Sequence, residues 1–74
     1  MEEKITRIYS EYIQLDQLLK WLGLSETGGQ AKWLIDAGQV LVNGKVSYER
    51  RKKIYPGDII IVRDKTFRIE VEED

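Results

Sequence analysis

The spacing of apolar residues switches from helical to alternating at Gly38, and that change limits the folds open to this chain. Before it, Leu15, Leu18, Leu19 and Leu22 fall at i, i+3, i+4 and i+7, the single stripe of an amphipathic helix. Gly23 follows as a left-handed stop. Thr27 then offers a side-chain oxygen to cap a second helix, whose buried face is Ala31, Leu34 and Ile35 and whose end is Gly38. Neither segment is long enough to stay helical alone in water, so the two must pack together.

Beyond Gly38 the period is two. Val40 to Val42, Asn43-Gly44 and Lys45 to Ser47 spell a hairpin, because a two-residue type I′ turn needs positive φ at both central positions and Asn-Gly tolerates it. Tyr48 to Lys53 is polar and reads as a loop, and Tyr55-Pro56-Gly57-Asp58 as a turn. Ile59 to Val62 is apolar on both faces, as a central strand would be. Asp64-Lys65 is the expected last turn, and Phe67, Ile69 and Val71 alternate with charges in a half-exposed final strand. Lys4 to Tyr9 reads as a first strand whose register the pattern leaves open. The expected fold class is α+β, two short packed helices on a small antiparallel sheet of four to five strands.

Seventy-four residues suffice for one such core and not for two. The chain has no His and no Cys, which removes imidazole bases, thiol nucleophiles, disulfides and the usual zinc ligands. No carboxylate pair stands out either: Asp58 belongs to its turn, Asp36 can pair with Lys32 at i, i+4, and Glu70 to Asp74 reads as a solvated end. A non-enzymatic chain with no catalytic residues, no metal and no cofactor is expected. Nothing resembles a signal peptide or a bilayer-spanning run, so a soluble cytosolic protein with no membrane partner is expected.

The net charge of −1 hides an uneven distribution. Residues 20–53 carry seven basic groups against three acidic, a local +4, while 1–19 carry −2 and 54–74 carry −3. Phosphate responds to the local field within a Debye length of about 8 to 10 Å. If the acidic ends pair as edge strands away from the basic centre, the molecule is polarised. The run Arg50, Arg51, Lys52 and Lys53 is then either a solvated loop or part of a phosphate-facing surface with Lys20, Lys32 and Lys45.

Gly28 and Gly29 are the glycines with no evident turn to make, at a helix start where glycine costs stability. They either let a neighbour pack tightly or leave the first-turn N–H groups open to a phosphate. Trp33 projects away from its helix's buried stripe, beside Lys32, and either fills core against the sheet edge or stacks on a base or ribose. Trp21, Tyr12 and Tyr48 read as packing residues. Asn43 is explained by its turn, with a ligand role as an addition.

Leu15-Asp16 with Leu18 and Leu19, Gly23-Leu24, Thr27 with Ala31-Lys32 and Leu34-Ile35, Gly38 with Val40, Val42 and Asn43-Gly44, and Gly57-Asp58 with Ile60 form one pattern. It resembles the RNA-binding domain of the ribosomal small-subunit S-four protein family, the alpha-L motif, over about two-thirds of the chain. The resemblance implies one domain spanning 1–74, with the motif proper at about 13–63, and binding to structured RNA, rRNA or tRNA, by a monomer on or near the ribosome. The candidate contacts are Lys20, Thr27, Gly28, Gly29, Gln30, Lys32, Trp33, Asn43, Lys45 and Arg50 to Lys53, of which the resemblance itself carries over Thr27, Lys32, Asn43 and Lys45. The family commonly has Arg after the capping residue and a basic residue before Leu-Asp, where this chain has Gly28 and Gln14. With its Gly-Gly-Gln-Ala-Lys-Trp run, the chain is similar to small stand-alone bacterial members of the YaaA and YbcJ type. The rival is a protein-interaction module of β-grasp type, without sulfur-carrier chemistry, because the chain ends Glu72-Glu73-Asp74 and not Gly-Gly.

Overall fold

The computed structural model describes residues 3–71, and its helices follow the apolar stripes. Helix α1 is Leu15–Trp21 and buries Leu15, Leu18 and Leu19. At its end Gly23, with φ +77°, donates its N–H to the Lys20 carbonyl at 3.0 Å, and Leu24 donates to Leu19 at 3.0 Å. These two bonds are the Schellman closure, which satisfies carbonyls the helix leaves unpaired. Helix α2 is Gly28–Asp36 and buries Ala31, Leu34 and Ile35. It closes in the same way at Gly38, whose N–H reaches Ile35 at 3.0 Å while Gln39 reaches Leu34 at 3.1 Å. The two helices pack on each other.

The strands are β1 Glu3–Ile8, β2 Ile13–Gln14, β3 Val40–Val42, β4 Lys45–Val46, β5 Lys53–Ile54, β6 Ile59–Val62 and β7 Lys65–Val71. Five of them form one sheet in the order β1-β7-β6-β3-β4, and β2 pairs with β5 in a separate antiparallel ribbon. The α+β architecture is therefore as expected, two helices on a mostly antiparallel five-stranded sheet. One pairing differs: β1 runs parallel to β7, with Ile5 opposite Arg68 and Ile8 opposite Val71. A parallel pair needs a long crossover. Here both helices and the hairpin lie between its two strands in the chain.

The hairpin pairs Val42 with Lys45 across a two-residue loop, and both Asn43 (φ 53°) and Gly44 (φ 87°) take the positive φ of a type I′ turn. At the other turn Asp58 donates its N–H to the Tyr55 carbonyl at 3.0 Å, with Gly57 at φ 98°, a type II geometry. Two expectations shift by one residue. The last turn is Arg63-Asp64, since Val62 pairs with Lys65. The loop after the hairpin ends before Lys53, which enters β5. Glu72 to Asp74 lie outside the described residues, as do Met1 and Glu2.

One core joins the layers: the helix stripes meet Ile8, Val40, Val42, Ile54, Ile60, Val62, Phe67 and Ile69. Cross-strand neighbours Val40 and Val62, Val42 and Ile60, and Ile60 and Phe67 place those side chains in rows under the helices. Strands β1 and β7 sit at one end of the sheet, with β1 as the edge, and β4 is the edge at the other end. The polarity anticipated from the charge count is not carried by these strands, because β1 holds Lys4 and Arg7 against Glu3, and β7 holds Lys65 and Arg68 against Glu70. Among the described residues no helix is long and apolar enough to cross a membrane.

Candidate nucleic-acid interface

The start of α2 is held by a reciprocal cap. Thr27 Oγ1 accepts the Gln30 N–H at 3.2 Å, and Gln30 Oε1 accepts the Glu26 N–H at 2.6 Å. Thr-x-x-Gln is the text of a capping box, here reaching one residue further back than the usual form. Gln30 and Thr27 thus shape the helix start before they touch any ligand. An alanine methyl at Gly28 would meet nothing within 4 Å, and at Gly29 only Thr27 Oγ1 at 3.8 Å. Tight packing therefore does not explain these glycines. There is no acidic residue in the first turn, so the positive end of the helix dipole is not offset from within.

On the same helix Trp33 is 59% exposed, which excludes the core-filling alternative. Lys32 is exposed as well, and it does not pair with Asp36. The expected i, i+4 pair is absent among the described residues, which leaves the ammonium available. Lys20 lies in the last turn of α1, also exposed.

The basic loop is fixed to the first turn of α1. Leu15 donates its N–H to the Lys52 carbonyl at 2.9 Å, and Asp16 to the Arg50 carbonyl at 2.9 Å. With β2 paired to β5, these bonds turn a sequence run of cations into an ordered strap that presents Arg50 and Arg51 to solvent. Lys45 and Lys52 line one open concavity of about 680 Å³ with Tyr48. Lys20 and Lys32 are not among its walls. Lys53 instead lies over the Tyr12 ring, its Nζ 4.9 Å from the centroid, and Tyr12 packs against Tyr55 at 5.8 Å. That cation–π contact is worth about 0.5 to 1 kcal/mol at an exposed site and engages Lys53 locally.

Asn43 is committed to the fold. Its Nδ2 donates to Asp58 Oδ1 at 3.0 Å and its Oδ1 accepts the Ile59 N–H at 2.8 Å, while Asp58 Oδ2 accepts the Tyr55 N–H at 2.8 Å. The hairpin and the Pro-Gly turn are joined through this amide. Two aromatics expected to pack are exposed: Trp21 at 57%, in edge contact with Tyr9 at 6.3 Å, and Tyr48 at 66%, its hydroxyl against Gly38. The sequence reading also passed over Arg63 and Lys65, which the β6–β7 turn brings to the Gln30 and Trp33 side of α2. The signal for them was a hairpin turn with arginine where glycine is usual.

The S4 domain family matches residues 6–70 of the chain. The "Probable ribosome maturation protein RlbA" of Bacillus subtilis (strain 168) is 40% identical over 53 residues, covering 72% of this chain and 75% of that one. YbcJ of Escherichia coli (strain K12) is 45% identical over 49 residues, 66% of this chain and 70% of that one. The solution structure of YbcJ, described as revealing an alfaL motif involved in RNA-binding, superposes with a TM-score of 0.65 at 33% identity over 95% of this chain and 87% of that one. The 30S ribosomal protein S4e of Thermoplasma acidophilum shares the fold, with a TM-score of 0.68 at 23% identity over 80% of this chain and 31% of that one.

Proposed function

The chain belongs to the S4 domain family, and from that premise we propose that it binds structured RNA without catalysing a reaction on it. The observation that carries this reading is the start of α2: two exposed glycines that no packing requires, at a capped helix terminus with no carboxylate in its first turn. Backbone N–H groups open in this way suit a phosphate oxygen. Lys32 and Trp33 extend that site along the helix, and Lys45, Lys52, Arg50 and Arg51 supply a second basic patch on the hairpin side. Lys20 adds a cation from α1. Asn43 and Lys53 support the surface more than they read RNA, because both already hold other groups of the fold.

Ribosomal RNA is the preferred target in this proposal, with tRNA second, and the protein acts as a cytoplasmic monomer near the ribosome. The similarity to RlbA and YbcJ, named for ribosome maturation and described as RNA-binding, supports that choice. The absence of His and Cys from the sequence supports binding over catalysis. A β-grasp protein-interaction module is not favoured, since the S4 domain match runs through both helices and the hairpin.

Titration of the intact chain against rRNA fragments tests the reading. With about five phosphates neutralised, log K should fall with log salt at a slope of about −4. No binding at low salt, or binding unchanged in Lys32→Ala plus Arg51→Ala, would sink it.

A further inference from the structure

Between α2 and the β6–β7 turn lies an open cavity of about 390 Å³. That size falls in the range of small-ligand sites and suits one flat ring system better than a helix of nucleic acid. Its apolar lining includes Leu34 and Val62, both nearly fully buried, which offer nothing to a phosphate. Trp33 adds an exposed indole. Gln30 contributes a polar group of known orientation: its Oε1 is held by the Glu26 N–H, so both donors of its Nε2 remain for an acceptor.

The turn contributes the charge. Arg63 has φ 59°, a left-handed conformation that disfavours any residue with a Cβ, in a turn where glycine would sit without strain. Strain of this kind at the mouth of a cavity is a pointer to function. Among the described residues neither Arg63 nor Lys65 has a carboxylate partner, and Asp64 is the one acid on the lining. An aromatic face, an amide donor and two available cations are the elements that hold an unstacked nucleotide.

We propose that this cavity receives one unpaired, unstacked nucleotide of the bound RNA, its base against Trp33 and its phosphate on Arg63 and Lys65. The proposal rests on the RNA-binding reading and sharpens it. The protein then selects RNA that offers a bulged or looped-out base over a continuous duplex, and its basic patches supply affinity without that preference.

The test uses the intact chain carrying Trp21→Phe, so that Trp33 is the sole tryptophan, and three RNAs: a fully paired hairpin, the same hairpin with one bulged adenosine, and the bulged hairpin with the base removed. Trp33 fluorescence should be quenched by the bulged hairpin and by neither of the others. Trp33→Ala should lower affinity for the bulged hairpin about five- to a hundredfold and for the paired one less than twofold. Arg63→Gly should weaken binding to the bulged hairpin severalfold with no loss of thermal stability. Equal binding of all three RNAs, with Trp33 unquenched and Arg63→Gly without effect, overturns the cavity proposal and leaves the RNA-binding reading standing. Failure to bind any of the three at low salt overturns both.

Discussion

Replacing Gly28 and Gly29 together by alanine separates stability from binding at the start of α2. Both residues are in helical conformation, and the added methyls meet open space at residue 28 and an ordinary 3.8 Å contact at residue 29. No steric cost opposes the gain in helix propensity and the loss of unfolded-state freedom, about 0.5 to 1 kcal/mol per residue. The double variant should therefore be more stable by about 1 to 2 kcal/mol. For a domain of this length that raises the melting temperature by about 4 to 15 °C. The same two methyls crowd the first-turn N–H groups, where an anion gains about 0.3 to 2 kcal/mol, so affinity for RNA should fall about two- to thirtyfold. Thermal unfolding followed by circular dichroism, with a filter-binding titration on the same preparations, reads both numbers. A variant that melts lower than the parent, or one that binds RNA with undiminished affinity, would refute the reasoning.

Gly38→Ala is the opposite case: its φ is +74° and the new methyl would lie 3.3 Å from the Tyr48 hydroxyl, so a loss of about 1 to 2 kcal/mol is expected in urea unfolding. Asn43→Ala removes two hydrogen bonds and strains a residue at φ 53°, and should cost about 2 to 3 kcal/mol by the same measurement. Leu19→Ala empties a fully buried position on the core face of α1, and a cost of about 2 to 5 kcal/mol should leave much of this small domain unfolded at 37 °C, visible as collapsed amide dispersion in NMR spectra. Lys45→Ala plus Lys52→Ala should make the salt dependence of RNA binding shallower by about two in log–log slope while melting stays within about 0.5 kcal/mol of the parent.

The elements legible in the sequence were those specified within a few residues. The Leu stripe with Gly23, the Thr27 cap, the Asn43-Gly44 hairpin and the Pro56-Gly57 turn are local devices, and the fold uses each of them as read. The parallel pairing of β1 to β7 is not local: Glu3 meets Thr66 across nearly the whole chain, and no periodicity in either strand states a direction. The site was legible as a composition and much less as an arrangement. Arg50 to Lys53 could be read as cations, yet their strapping to α1 through the Leu15 and Asp16 amides depends on backbone groups that carry no residue code. Trp21 lies beside the Leu stripe and still faces solvent, because α1 is only seven residues long and its buried face is filled by three leucines. Arg63 escaped notice because the expected turn, Asp64-Lys65, lies one residue further on and leaves Arg63 outside it.

RNA is proposed to lie on the α2 start, the hairpin and the basic strap, away from the β1 edge of the sheet. Ultraviolet crosslinking of the intact chain to ribosomal RNA, followed by mapping of the crosslinked peptides, tests that placement directly. Adducts concentrated in residues 27–33 and 45–53, and absent from β1, are the predicted result. Adducts centred on β1 and on residues 66–71 of β7, or an even spread over the surface that is insensitive to salt, would contradict it.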